Sequence, residues 1–222
     1  MKAKDAFILG AGHQLATKTM SLGPLTTYSL LTDPKHMSFV LARYKFVAKM
    51  LEGKRSALEV GAGDGFGLPI VAGAVGSVHC IDWEPQLVES NRERLKTLEN
   101  VTFQVHDITQ KPVGGRDYDA IYSIDVLEHL DPESEAHYMS HLVESLHPKG
   151  VFITGTPNFT AAQHASEQSR VQHINLKTMY QLKELHERYF DYVFMFGQND
   201  EVVHTGYSPM CHYLWAVCGG VK

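Results

Sequence analysis

The feature that most restricts the fold is an alternation of short apolar runs with helical-period segments across residues 56–155. Ser56–Val60 (SALEV), Ser77–Asp82 (SVHCID), Val101–His106 (VTFQVH), Tyr118–Ile124 (YDAIYSI) and Gly150–Gly155 (GVFITG) each read as a buried strand. Between them fall a helix after a glycine-rich turn, a helix over Pro85–Leu98, and a helix over Pro132–Leu146. In the last of these, Tyr138, Met139, Leu142, Val143 and Leu146 share one face. Strands that are apolar throughout need cover on both faces, so the alternation predicts a parallel sheet between two helix layers. Right-handed crossovers make it a doubly wound α/β sheet.

The flanks follow other patterns. Residues 1–32 read as an irregular arm or a short helix. Asp33-Pro34 then starts a helix whose Met37, Val40, Leu41, Tyr44, Val47 and Leu51 lie on one face, and Gly53 ends it. Downstream, Leu176–Phe190 is an amphipathic helix. Tyr192–Gly197 and His212–Cys218 are strands separated by the polar stretch Gln198–Met210, which permits a hairpin-like return and one antiparallel strand.

Composition excludes some classes of function. A net charge of −5 over 222 residues leaves no basic footprint, so nucleic acid is not an expected partner. Three cysteines without a CxxC pair, and no secretion signal, point to reduced thiols in the cytoplasm. The apolar stretch Ala6–Leu9 is too short for a signal sequence or a membrane span, so no membrane association is expected.

The chemistry concentrates at strand ends. The first strand runs into Glu59-Val60-Gly61-Ala62-Gly63-Asp64-Gly65, and glycine permits the positive φ and close backbone approach that a ligand-binding turn needs. A dinucleotide GxGxxG fails in both registers, because its third glycine would fall at Phe66 or Leu68. A P-loop fails because no Gly-Lys-Ser/Thr follows. Asp82 ends the second strand about 20 residues on, where a ribose diol needs an acceptor. Trp83 beside it could cover an adenine, although Asp82 could equally cap the next helix. Asp107 and Ile108 end the third strand, where a carboxylate could meet an adenine amino group or sit as an ordinary loop residue. Ser123–Leu130 (SIDVLEHL) follows the fourth with two acids and a histidine.

These motifs together resemble the class I S-adenosylmethionine (SAM)-dependent methyltransferases of small-molecule type, similar to the ubiquinone-biosynthesis O-methyltransferases and their sugar and natural-product relatives. ALEVGAGDGFG (57–67), CIDWEP (80–85), HDI (106–108), SIDVLEHLDP (123–132) and LHPKGVFITGTPN (146–158) carry the resemblance. It implies a seven-stranded Rossmann-like sheet with an antiparallel last strand, and S-adenosylmethionine as cofactor with S-adenosylhomocysteine as product. It implies cofactor contacts from Gly61, Gly63, Gly65 and Asp82. Glu59 would face the methionine ammonium or order the loop, Asp107 with Ile108 would meet adenine, and Asp125 would lie along the methionine. The expected layout is a single domain over 1–222, with an arm and helix at 1–52 as a candidate lid, a SAM-binding core at 53–158, and a substrate-side insert, helix and hairpin at 159–222.

A hydroxyl or amine acceptor also needs its proton removed, and histidine suits that task. His129 is the first candidate, with helix entry and a simple hydrogen bond as its alternative. His173 is the second, with support of the helix at Leu176 as its alternative. Tyr28, Tyr44, Asn158 and His204 are candidate substrate contacts, and for Asn158 a turn role competes. His164, His173, His204 and His212 with Asp200 and Glu201 could converge on a metal, but no HxH, HxxxH or HExxH spacing appears among them, so none is expected. The acceptor is expected to be a small molecule, by preference a hydroxyl of a sugar, polysaccharide precursor or natural product, with a small amine as runner-up. A non-catalytic SAM-binding protein and a homodimer both remain open.

Overall fold

The computed structural model describes residues 20–114 and 117–222. The arm at 1–19, including Ala6–Leu9, lies outside the described residues. The strands are β1 Ser56–Val60, β2 Ser77–Asp82, β3 Val101–Val105, β4 Tyr118–Ile124, β5 Leu146–Pro157, β6 Phe190–Asn199, β7 Val202–His204 and β8 Tyr213–Val221. The helices are α1 Pro24–Thr32, α2 His36–Leu51, α3 Leu68–Ala72, α4 Pro85–Arg94, α5 Pro132–Ser145, α6 Glu167–Gln172 and α7 Met179–Glu187. They form one sheet in the order β3-β2-β1-β4-β5-β8-β6-β7. β1 to β5 pair in parallel, and β8 inserts antiparallel between β5 and β6.

The predicted doubly wound sheet is therefore present, with one strand more than the seven expected. The extra strand is β7, whose three residues pair with β6 across the turn at Asp200 and Glu201. Asp200 holds φ 48 there, a left-handed conformation that Asp tolerates in tight hairpins. Three residues are too few for a period-2 pattern to show in sequence. β7 and β8 both run against the parallel set, where one antiparallel strand was expected.

Local signals set most element ends. Glu84 caps α4 by accepting the Gln86 N–H, and Pro85 fills the first turn. Asp131 caps α5 through the N–H groups of Glu133 and Ser134. Thr178 and Gln181 form a reciprocal capping box that starts α7 at Met179, three residues later than the periodicity suggested. α1 is a short helix within residues 1–32, one of the two forms expected there.

The sheet buries two apolar layers. Leu51, Leu68, Val78, Tyr122 and Trp215 pack on one face; Leu58, Ile121, Leu142, Phe152 and Leu214 pack on the other. Each fully buried side chain of this size contributes about 1.5–3 kcal/mol relative to exposure. Because successive strand residues point to opposite faces, Leu58 and Glu59 enter different layers. Glu59 thus lies among apolar neighbours in the layer beneath α2. Among the described residues no helix is long and apolar enough to cross a membrane.

Candidate active site

β1 and β4 are neighbours in the sheet although β2 and β3 separate them in sequence, so the strand order reverses there. Ligands of such sheets sit in the crevice at that reversal. Three adjoining hollows occupy it. The first is apolar and small, between Ile81, Trp83, Ile108 and Val126, with Asp82 and Asp107 on its rim. The second, about 400 Å³, runs over Gly61–Gly65 beneath Thr26, Met37 and Tyr44. The third, about 450 Å³, lies between β5 and the 158–176 insert. Gly61 borders the first two, and His36 and Asp125 border the last two, so the hollows form one continuous path.

Backbone geometry explains the glycines. Gly61, Gly63 and Gly65 all have positive φ, at 74, 50 and 61°. A Cβ on Gly61 would also fall onto the Val126 side chain. The Asp82 carboxylate is buried and stitches the two turns together: Oδ2 accepts the Gly63 N–H at 2.9 Å and Oδ1 accepts the Glu84 N–H at 2.9 Å. The helix cap is Glu84, so Asp82 is not spent on that task. Trp83 is 72% exposed and borders the apolar hollow. Asp107 Oδ1 accepts from Thr109 N at 2.9 Å and Thr109 Oγ1 at 2.7 Å, while Ile108 is buried. α1 is tied over the glycine loop, because Thr26 N donates to Asp64 Oδ2 at 2.6 Å.

Glu59 does not reach the path. Its carboxyl accepts from the Tyr44 hydroxyl at 2.9 Å and the Cys80 thiol at 3.4 Å, and burial pushes its pKa up to about 7. Of its two expected roles, this contact set fits ordering of the loop. The Tyr44 hydroxyl is consumed by the same contact, leaving its ring to border the glycine hollow. Tyr28 points away and is 62% exposed. Asn158 is buried and acts on the turn: Nδ2 donates to the carbonyls of Ser208 and Cys211, and Oδ1 caps Thr160. His204 is held in the β6–β7 hairpin by Asn199 Oδ1 and Gly206 N, away from the three hollows. Of the histidines weighed together in sequence, His164, His173 and His212 do line the third cavity.

The floor of that cavity joins Asp125 to Arg43 and Glu128, two residues that the sequence reading left out of the site. Arg43, from α2, donates to Asp125 Oδ2 at 2.6 Å and stacks over the Tyr213 ring at 4.0 Å. Asp125 is held at φ 57, with its N–H on the Gly155 carbonyl. Glu128 is fully buried, with Oε2 accepting from Thr156 Oγ1 at 3.1 Å. Burial, and then the nearby Asp125 charge, raise its pKa. Arg43 Nε, Asp125 Oδ1 and Glu128 Oε1 are buried without a hydrogen-bond partner. Orphans of this kind cost about 1–3 kcal/mol each, more when charged, so three at one cavity floor make it a candidate ligand site.

His129 and His173 come together although 44 residues separate them. His129 ends the 3₁₀ turn Leu127–His129, and its Nδ1 bonds the Gln172 carbonyl at 3.2 Å. The ring of His173 lies edge-on to it, with centroids 5.0 Å apart. His173 follows α6 as its C-terminal cap, so it does not support the start of α7. Burial, and then His129, lower its pKa.

Comparison with known proteins agrees with this layout. Residues 57–150 match the model of a methyltransferase domain family. A chain from Mycolicibacterium smegmatis named "Probable S-adenosylmethionine-dependent methyltransferase" is 26% identical over 138 residues, covering 61% of this chain and 52% of that protein. The chain thus spans about half the length of the curated relative it matches. The methyltransferase solved with the Haloferax volcanii Trm112 activator superposes with TM-score 0.68 at 13% identity, covering 88% of this chain and 97% of that one. The N-methyltransferase NodS from Bradyrhizobium japonicum, in complex with S-adenosylhomocysteine, gives TM-score 0.64 at 18% identity, with 86% and 90% covered. The bacterial CtHen1-C methyltransferase domain gives 0.66 at 18%, with 82% and 99% covered. The segment that carries the glycine path over β1, β2 and β4 is thus similar to methyltransferase domains, and the whole chain shares their fold.

Proposed function

We propose that this chain transfers the S-methyl group of S-adenosylmethionine to a hydroxyl oxygen of a small-molecule acceptor held in the third cavity. The observation that carries this reading is the continuous path: the small apolar hollow beside Trp83 and Ile108 suits the edge of an adenine, the glycine hollow suits the methionine, and Asp125 stands where the second hollow opens on the third. Asp82 serves the ribose with the lone pairs its two backbone contacts leave free. A sulfonium methyl is already activated, so the protein chiefly aligns donor and acceptor. The acceptor oxygen forms the new C–O bond as the S–CH₃ bond breaks and sulfur keeps the electron pair. The acceptor proton leaves at the corner formed by His173, with His129 behind it. A cavity lined by His164, Ser169, His173 and His212 suits a polyhydroxylated acceptor such as a sugar or natural product. The three cysteines are free and buried, which fits a cytoplasmic location.

Transfer of labelled methyl to a panel of sugars, phenols and amines, with products resolved by mass spectrometry, tests the acceptor. Methylation of amines alone would sink the oxygen reading. His173→Ala is expected to lower turnover by about 10²-fold with SAM affinity unchanged. Asp82→Ala should weaken SAM by about 10- to 100-fold in calorimetry, from lost charged hydrogen bonds worth about 1.5–3 kcal/mol. An unchanged affinity removes Asp82 from the ribose.

A further inference from the structure

We propose that Glu128, His129 and His173 form a divalent-cation site at the wall of the acceptor cavity. One ligand atom from each lies within 4.8 Å of the others, a spacing that a single ion can bridge. One carboxylate and two imidazoles form a mixed O/N donor set suited to Mn²⁺, Fe²⁺, Co²⁺ or Zn²⁺. Three protein ligands leave positions open, as a site that must also bind substrate requires.

Two further observations point to a ligand. Glu128 is fully buried, and its Oε1 has no partner while Oε2 is engaged by Thr156. Packing alone would not retain such an oxygen, and an ion repays its desolvation. The His129 contact through Nδ1 to the Gln172 carbonyl fixes Nδ1 as the protonated nitrogen. Nε2 then presents a lone pair, the arrangement found around metal-bound imidazoles. The two halves of the site are bolted together. Asn175 N donates to the Glu128 carbonyl at 3.0 Å, and Asn175 Nδ2 donates to the Leu127 carbonyl at 3.3 Å and to Glu135 Oε2 at 2.6 Å. The segment carrying His173 is thereby held against the turn carrying Glu128 and His129.

Resting on the oxygen-acceptor reading, the ion would bind the acceptor hydroxyl and lower its pKa. With His173 on the ion, its effect on turnover comes through the ion and not as the base: the proton passes to solvent, and the ion-held oxygen takes the methyl as the sulfonium becomes a thioether. The site itself does not depend on that reading, and its test is binding.

Mn²⁺ is titrated into the chelator-treated chain and free Mn²⁺ is followed by electron paramagnetic resonance. One saturable site is expected, with affinity falling at least about 10-fold in Glu128→Gln and in His173→Ala. Thermal melts of each variant confirm that it is folded. His137→Ala serves as the control, because His137 and His141 stack on α5 at a spacing that could itself catch an ion; its binding should match the parent. Absence of saturable binding of Mn²⁺, Co²⁺ and Zn²⁺ up to millimolar concentration overturns the site. Parent-like affinity in both ligand variants, or loss of binding in His137→Ala, also overturns it. The expected binding pattern in a chain that methylates only amines keeps the site and overturns the oxygen reading.

Discussion

Arg43→Met is expected to lower stability by about 3 kcal/mol, and the double variant Arg43→Met/Asp125→Asn should recover more than half of that. Arg43 reaches from α2 to the end of β4, with Nη1 on Asp125 Oδ2 at 2.6 Å and the guanidinium over Tyr213. Its side chain is 13% exposed, so the charge is largely withdrawn from water. Removing one member of such a pair leaves the other uncompensated, a loss of about 3–5 kcal/mol. Asp125 keeps 36% of its side-chain exposure, which places the loss at the lower end. Methionine retains length and packing, so the lost charge dominates the change. Asparagine tolerates the left-handed backbone at position 125 and removes the stranded charge, which is why the second substitution compensates. For a chain of this size the single variant should melt about 6–12 °C lower. Thermal and urea denaturation of the two singles and the double give the coupling directly. An Arg43→Met loss below about 0.5 kcal/mol would put the pair among exposed ion pairs that contribute little.

The cofactor half was legible because its parts obey local rules. β1, β2 and β4 match their expected ranges residue for residue, the glycines and Asp82 sit at the carboxyl ends of β1 and β2, and Asp107 sits just past β3. The acceptor half was not legible, because its residues meet only in three dimensions. Arg43 and Asp125 lie 82 residues apart, and the insert at 158–176 carries two short helices without a sustained hydrophobic period. A signal for Arg43 was present nonetheless. It falls on the α2 face that also holds Val40, Tyr44, Val47 and Leu51, and a charge on an apolar stripe calls for a partner. The grouping of Glu128, His129 and His173 was hidden for the same reason: spacing motifs detect ligands on one element, and this set draws on two. Glu59, a charge inside an apolar strand, carried a similar signal. Its partner Tyr44 stands on α2, which no strand pattern could indicate.

Two buried groups should oppose one another in the pH dependence of stability, and single substitutions should expose each. Glu59 faces Tyr44, Cys80 and Tyr122, with the Asp82 charge nearby. Its pKa rises from an ordinary 4.5 to about 7, mainly through burial. The folded state therefore holds a proton that the unfolded chain releases, so this contribution falls as pH rises from 4.5 to 7. At 1.36 kcal/mol per unit the fall is about 3 kcal/mol. His186 lies between the Leu182 carbonyl and Thr154 Oγ1, stacked on Phe152 with Glu135 acting from α5, and burial lowers its pKa from 6.5 to about 4. Here the unfolded chain binds the extra proton, so stability rises with pH from 4 to 6.5, again by about 3 kcal/mol. The windows overlap and the signs differ, so the two contributions nearly cancel in the parent. Relative to the parent, Glu59→Gln should gain about 3 kcal/mol in slope as pH rises from 4.5 to 7. His186→Gln should lose about as much between 4 and 6.5. Taking differences from the parent cancels the smaller shifts at His36, His79 and His173, which are only half-buried. Urea midpoints across pH 4–8 provide the curves. A Glu59→Gln curve parallel to the parent would mean that water reaches the Glu59 carboxyl and that α2 does not seal the layer beneath the glycine loop.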